Sequence, residues 1–167
     1  MSLSRAVDRR LGKARFLLRK DSFTKTISVD QTPEQAFSAI NDVRGWWSGA
    51  IEGPTDALGG EFTYRYADIH FSKQKVTELV PGEKVVWTIT DSALQFAEPK
   101  DEWTGTKVIF DISTKGDKTE VRFRHEGLIP EFACYGGCSK GWTHVINELG
   151  AFIASIDDGA SAPFAGP

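Results

Sequence analysis

The chain has 167 residues, 40% apolar and 26% charged with a formal charge of −3, the proportions of a globular protein long enough to bury roughly 70% of its extended-chain surface in one domain. Two cysteines four residues apart exclude a disulfide framework, no run approaches the roughly 20 apolar residues of a membrane span, and no His, Asp or Glu cluster has zinc or calcium spacing. The charge is uneven: residues 1–20 carry seven basic residues against Asp8 alone, while the remainder has 13 basic against 22 acidic, and so acidic a body speaks against nucleic acid as the main partner.

In the leader, 1–21, Leu3, Val7, Leu11, Ala14 and Leu18 recur at helical spacing among the basic residues. This predicts a basic amphipathic helix or a solvated segment, and the thin apolar stripe favours the solvated reading over a membrane or protein dock. From residue 23 the pattern alternates: Phe23, Ile27 and Val29 share one face of a first strand, 23–29. Thr32, Pro33 and Gln35 then read as an N-cap, a first-turn proline and a capping-box partner for a helix that turns Ala36, Phe37 and Ile40 inward. Asn41 and Asp42 end it, and 43–47 forms a short second helix or turn closing on Trp46 and Trp47. Adjacent side chains diverge, so one indole is expected in the core and the other at a cavity mouth or on the surface.

Beyond the glycine-rich loop around Gly53 and Gly59, strand patterns cover 61–66, 69–79, 84–91, 106–114 and 119–126, linked in part by Pro81-Gly82 and Lys115-Gly116-Asp117. Such turns join antiparallel neighbours, so the strands form a meander. Alternation puts Phe62, Tyr64 and Tyr66, then Val85, Trp87 and Ile89, then Val108, Phe110 and Ile112, then Val121, Phe123 and His125 on a dry face. Ile69, Phe71 and Val76 disagree in parity, which predicts a bulge near Lys73 or Gln74. The stretch 92–105 reads as a mobile lid or rim.

The last element is the longest. Trp142, Val145, Ile146, Leu149, Phe152, Ile153 and Ile156 line one face of a helix over 139–156, with Ser139 able to cap its start, Gly136, Gly137 and Gly141 breaking the approach, and Gly159 able to end it. The tail, 158–167, is Gly-, Ala- and Pro-rich and expected to be flexible. A helix this apolar needs a large partner, and the curved sheet of 22–157 is the one available. The predicted fold is therefore α+β, six or seven antiparallel strands wrapped around a long C-terminal helix, with any cavity lying between the two.

Five Trp and eleven Phe imply large inward side chains that either fill that space or line a cavity. The expected lining is Trp47, Tyr64, Tyr66, Trp87, Phe110, Phe123, His125, Trp142 and Ile146. His125 is the sharpest polar candidate, able to orient a ligand or exchange a proton, although an imidazole satisfied by a backbone carbonyl at the strand end is the favoured reading. His70 and His144 read as surface residues, and Cys134 and Cys138 as buried thiols with no redox role implied. No nucleophile triad, phosphate loop or cofactor fingerprint is visible, so no cofactor or metal is expected.

The ordered set of GWW at 45–47, VTELVPGEKVVWTI at 76–89, WTGTKVIFDI at 103–112, TEVRFRHEGLIP at 119–130 and CYGGCSKGWTHVINELGAFI at 134–153 resembles the activator of heat-shock-protein-90 ATPase homologue family, of the START-like helix-grip superfamily, and above all its bacterial single-domain members. The resemblance implies a helix-grip domain. It allows three functions: a cytoplasmic protein binding a small, mostly apolar ligand, which is preferred; a protein-interaction or chaperone-regulating module; and a cyclase-like enzyme. The eukaryotic co-chaperone has a further N-terminal domain that contacts the chaperone, and the 21 residues before Ser22 do not supply one. Cytoplasmic location is expected because no secretory signal pattern is present.

Overall fold

The computed structural model describes residues 22–156; the leader and tail expectations, including Gly159 as a helix end, lie outside the described residues. Seven strands, β1 (Phe23–Val29), β2 (Ala50–Glu52), β3 (Glu61–Tyr66), β4 (His70–Val80), β5 (Lys84–Leu94), β6 (Lys107–Lys115) and β7 (Lys118–Glu126), form one antiparallel sheet in the order β1-β7-β6-β5-β4-β3-β2. Two helices pack with it: α1 (Pro33–Asn41) and the long α2 (Tyr135–Ala154). This is the α+β helix-grip architecture that alternation and helical period predict. Among the described residues, no helix is long and apolar enough to cross a membrane.

Local chemistry explains the element starts. The Thr32 hydroxyl accepts from Gln35 N at 3.1 Å and the Gln35 carbonyl oxygen accepts from Thr32 N at 2.9 Å, the reciprocal capping box of α1. The β4–β5 pairing slips twice: Lys73 faces Asp91 while Gln74 faces Ile89, leaving Thr90 unpaired, and Val76 faces Trp87 while Glu78 faces Val86, leaving Thr77 unpaired. The first bulge lies where the parity conflict placed it. Within β4, however, the inward residues Ser72, Gln74 and Val76 keep a single parity, and Phe71 faces outward beneath the Arg65 guanidinium.

The start of α2 corrects the sequence reading. The helix begins at Tyr135, four residues before Ser139, and includes Gly136, Gly137 and Gly141. Ser139 donates its hydroxyl to Gly136 O and caps nothing. The cap comes from far along the chain: the Glu102 carboxylate accepts from Ala133 N at 2.8 Å and Cys134 N at 3.0 Å, placing negative charge at the positive end of the helix dipole. The stretch expected to be a mobile lid or rim is a flap pinned by hydrogen bonds, a rim in place of a mobile lid. It is bonded from Leu94 N to Lys100 O, from Gln95 N to Ile69 O, and between the Ser92 and Thr104 hydroxyls.

Aromatic side chains dominate the core. Trp46, Trp47 and Trp87 lie nearly parallel with ring centres 5.9 to 6.3 Å apart, and Tyr64 stacks on Trp47 at 3.9 Å. Both adjacent indoles are buried: Trp46 turns its N–H back to Ala39 O and Ile40 O in the core, while Trp47 lies flat against Tyr64. Gly45 makes the approach possible: a Cβ there would lie 2.4 Å from the Phe152 ring of α2. Phe110, Phe123, Ile146, Leu149 and Ile153 are fully buried between sheet and helix.

Trp142 sits at the crossing, 4.6 Å from Phe123 and 5.1 Å from Trp47 between ring centres. Trp142→Ala should destabilise the fold by about 3 to 5 kcal/mol, measured by chemical denaturation; a loss under about 1 kcal/mol would contradict its place in the core. Glu102→Ala should lose about 1 to 2 kcal/mol and raise hydrogen exchange at the first turn of α2 and in the flap together. Faster exchange in the flap alone would show that the carboxylate does not hold the helix.

Candidate functional site

The aromatic packing leaves a small, mostly apolar cleft of about 110 Å³ beside the first turns of α2. Trp47, Tyr64, Trp103 and Trp142 form its inner wall, with His70 from β4 and Phe96 from the flap at its side. The helix contributes Gly137, Cys138, Gly141 and Val145. A wider hollow of about 440 Å³ runs between β1 and α2, but it is open and polar, and its Lys118 and Asp30 already pair with each other.

Two histidines on the dry face have opposite surroundings. His125, fully buried on β7, is bonded at both nitrogens: Trp142 Nε1 lies 3.0 Å from Nδ1, and Thr106 Oγ1 lies 2.8 Å from Nε2. An indole N–H can only donate, so Nδ1 accepts and Nε2 carries the proton. Thr106 Oγ1 accepts that proton's hydrogen bond and donates onward to Trp103 O at 2.6 Å. The favoured structural reading of His125 thus has side-chain partners in place of the backbone carbonyl expected from sequence. Burial, with a smaller contribution from His70, lowers its pKa to about 3, and a second proton would set N–H against the Trp142 N–H.

His70 was expected on the surface and is not there. Its ring stands edge-on to Trp103 at 4.6 Å and to Tyr64 at 5.1 Å, and its buried Nε2 has no hydrogen-bond partner among the described residues. Burial lowers its pKa to about 4. The Tyr64 hydroxyl donates to Ser48 O at 2.8 Å and is pushed up to about 12, chiefly by burial. The Cys134 thiol is also pushed up, first by its hydrogen bond with Cys138 and then by burial; both thiols are buried and free.

Of the residues expected to line a cavity, Trp47, Tyr64 and Trp142 line this cleft. Trp87, Phe110, Phe123 and Ile146 lie deeper, in the filled core, and His125 is sealed behind Trp142 and Trp103. Tyr66, expected on the dry face, is 51% exposed: it shares parity with Tyr64, but β3 ends there and nothing from the helix covers it. His70, Phe96, Trp103, Gly137, Cys138, Gly141 and Val145 are wall residues not named from the sequence. His70 was recoverable by counting back from Val76 in steps of two. Val145 stood on the apolar face read for the helix, whereas the helix glycines, Cys138 and the flap residues gave no such signal, since the Glu102 cap brings the helix start and the flap together.

Both histidine pKa values are depressed, so the unfolded chain binds protons that the folded chain does not as pH falls below about 6.5. Stability should therefore be fully present above about 6.5 and decline as pH falls toward 4, beginning before ordinary carboxylates titrate. Urea midpoints between pH 7 and 5 check this, and His70→Gln should flatten the profile in part. A midpoint independent of pH across that window would contradict both buried imidazoles.

The model of the family described as Activator of Hsp90 ATPase homolog 1-like protein matches residues 31–154. No protein in the curated search matches. Among solved structures, the Aha1 dimer from Colwellia psychrerythraea is 24% identical, with a TM-score of 0.64 over 80% of this chain and 96% of that one. A protein from Mesorhizobium loti is 19% identical, also with a TM-score of 0.64, over 81% and 99%. The di-domain ARO/CYC StfQ from the steffimycin biosynthetic pathway is 13% identical with a TM-score of 0.59, matching 80% of this chain but 44% of its own. At these identities the likeness is one of fold. The family match spans most of the chain, from just before α1 to the end of α2, and on that ground the chain belongs to the Activator of Hsp90 ATPase homolog 1-like family.

Proposed function

We propose that the chain is a cytoplasmic binding protein that takes a small, mostly apolar molecule into the cleft beside the start of α2. The observation that carries this reading is the pair Gly137 and Gly141. They lie one helical turn apart within α2 on the cleft wall, and a Cβ built on either meets nothing within 4 Å. Glycine inside a helix costs about 1 kcal/mol against alanine, and here packing does not demand it. We infer that the bare backbone on this wall keeps the cleft open. Its volume, about 110 Å³, is somewhat below the ~150 Å³ of a cavity known to hold benzene, so it suits a ring-sized group with the rest of a ligand passing out of the mouth. Two buried free thiols fit a reducing compartment.

A protein partner is the second reading, favoured by Tyr66, Ile69 and Phe96, which are each about half exposed, the first two at the β3–β4 turn and the third on the flap bonded to it. The enzyme reading has less support: among the described residues the cleft presents one unpartnered imidazole, without the second convergent group that acid–base chemistry uses.

Toluene titrated into the full chain, followed by the indole N–H signals of Trp47, Trp103 and Trp142, should show saturable one-to-one binding. Gly141→Leu, which fills the cleft from the helix side, should weaken it by about tenfold or more while leaving the melting temperature unchanged or higher. Absence of saturation, or equal affinity in Gly141→Leu, would move the protein-partner reading to the front.

A further inference from the structure

This inference rests on the cleft being a ligand site and concerns what the ligand must carry. Two polar groups of the cleft wall have partners within the protein. The Tyr64 hydroxyl donates to Ser48 O, and the Trp142 N–H donates to His125. Trp103 Nε1 is buried without a hydrogen-bond partner among the described residues, and as an indole N–H it can only donate. His70 Nε2 is likewise buried and without a partner among the described residues, on a ring whose orientation is set by edge-on contacts with Tyr64 and Trp103, and an imidazole nitrogen can accept as well as donate. A buried polar atom left without a partner is destabilising, and such atoms are rare in folded proteins.

We propose that the cleft recognises an uncharged molecule bearing a hydroxyl on a flat apolar body, a phenol in the simplest case, with the hydroxyl bonded to His70 Nε2 and the body lying between the indoles of Trp103 and Trp142 and the bare helix at Gly137 and Gly141. Charge at the ligand is disfavoured because no Asp, Glu, Lys or Arg is among the residues lining the cleft, and an ion entering it would lose water with no opposite charge in return. Burial keeps the imidazole neutral near pH 7. A neutral imidazole offers at Nε2 either a lone pair or an N–H, and a hydroxyl satisfies both, because it accepts and donates. A purely apolar molecule would fill the space and leave Nε2 unpaired.

The test compares phenol, toluene, benzoate and benzylamine, four probes of similar size, titrated into the full chain at pH 7. Phenol should bind about tenfold or more tighter than toluene, and benzoate and benzylamine more weakly than phenol by at least a similar factor. On phenol binding, the His70 Nε2 nitrogen resonance should shift, and toluene should leave it in place. His70→Phe should remove the advantage of phenol while toluene affinity changes by less than about threefold. His70→Gln, which keeps a donor and an acceptor, should restore part of that advantage and serves also if the Phe variant folds poorly. Equal binding of phenol and toluene in the natural chain, or equal weakening of both in His70→Phe, would overturn the hydroxyl anchor and leave ligand binding intact. Saturation by none of the four would overturn ligand binding itself.

Discussion

Trp142 meets the rest of the protein in two ways at once, and the grip of sheet on helix depends on both. Its ring packs against Phe123, Trp47 and Trp103, so the first half of α2 is held by apolar contact. Its N–H satisfies His125, which satisfies Thr106, which ends on the Trp103 carbonyl. Because an indole nitrogen can only donate, the direction of every bond in that chain follows from one side chain. The helix, β7 and the flap are thereby fixed to one another, and a polar chain sits inside an apolar core with each of its members paired.

The two inward histidines show how far environment outweighs residue type. His125 is the more deeply buried and has nothing left to offer, since both nitrogens are engaged. His70 is less enclosed and keeps a nitrogen without a partner among the described residues, at a small hollow that the aromatic packing leaves beside α2. Family membership does not decide what that hollow holds, because one fold carries many chemistries on locally different sites. Its wall is large flat rings on one side, glycines on the other, and a single imidazole between them.

The flap and the helix start form one unit. Glu102 lends its carboxylate to the N-terminus of α2, and the same segment places Trp103 and Phe96 at the cleft. The shape of the cleft is therefore coupled to helix capping, and Gly136 and Gly137, unfavourable in a first turn, are held helical by a partner more than thirty residues away in sequence.

Alternation and the 3.6-residue period are local properties, and they carried most of the architecture. Six of the seven antiparallel strands, the capping box at Thr32, the bulge at Lys73 and the apolar stripe of α2 could be read in order along the chain, whereas β2, three residues long, is too short to show alternation. Of the expected cavity wall, Trp47, Tyr64 and Trp142 were legible in the same way, from large side chains on inward positions. Alternation assigns a face to Tyr66 but cannot say that the sheet ends beneath it, and it assigns a face to His125 without saying that Trp142 and Thr106 would engage both nitrogens. Where α2 starts, which histidine stays unpartnered and which aromatics fill the core were decided by tertiary structure alone, because each depends on groups far apart in sequence that meet only once the sheet has curved around the helix.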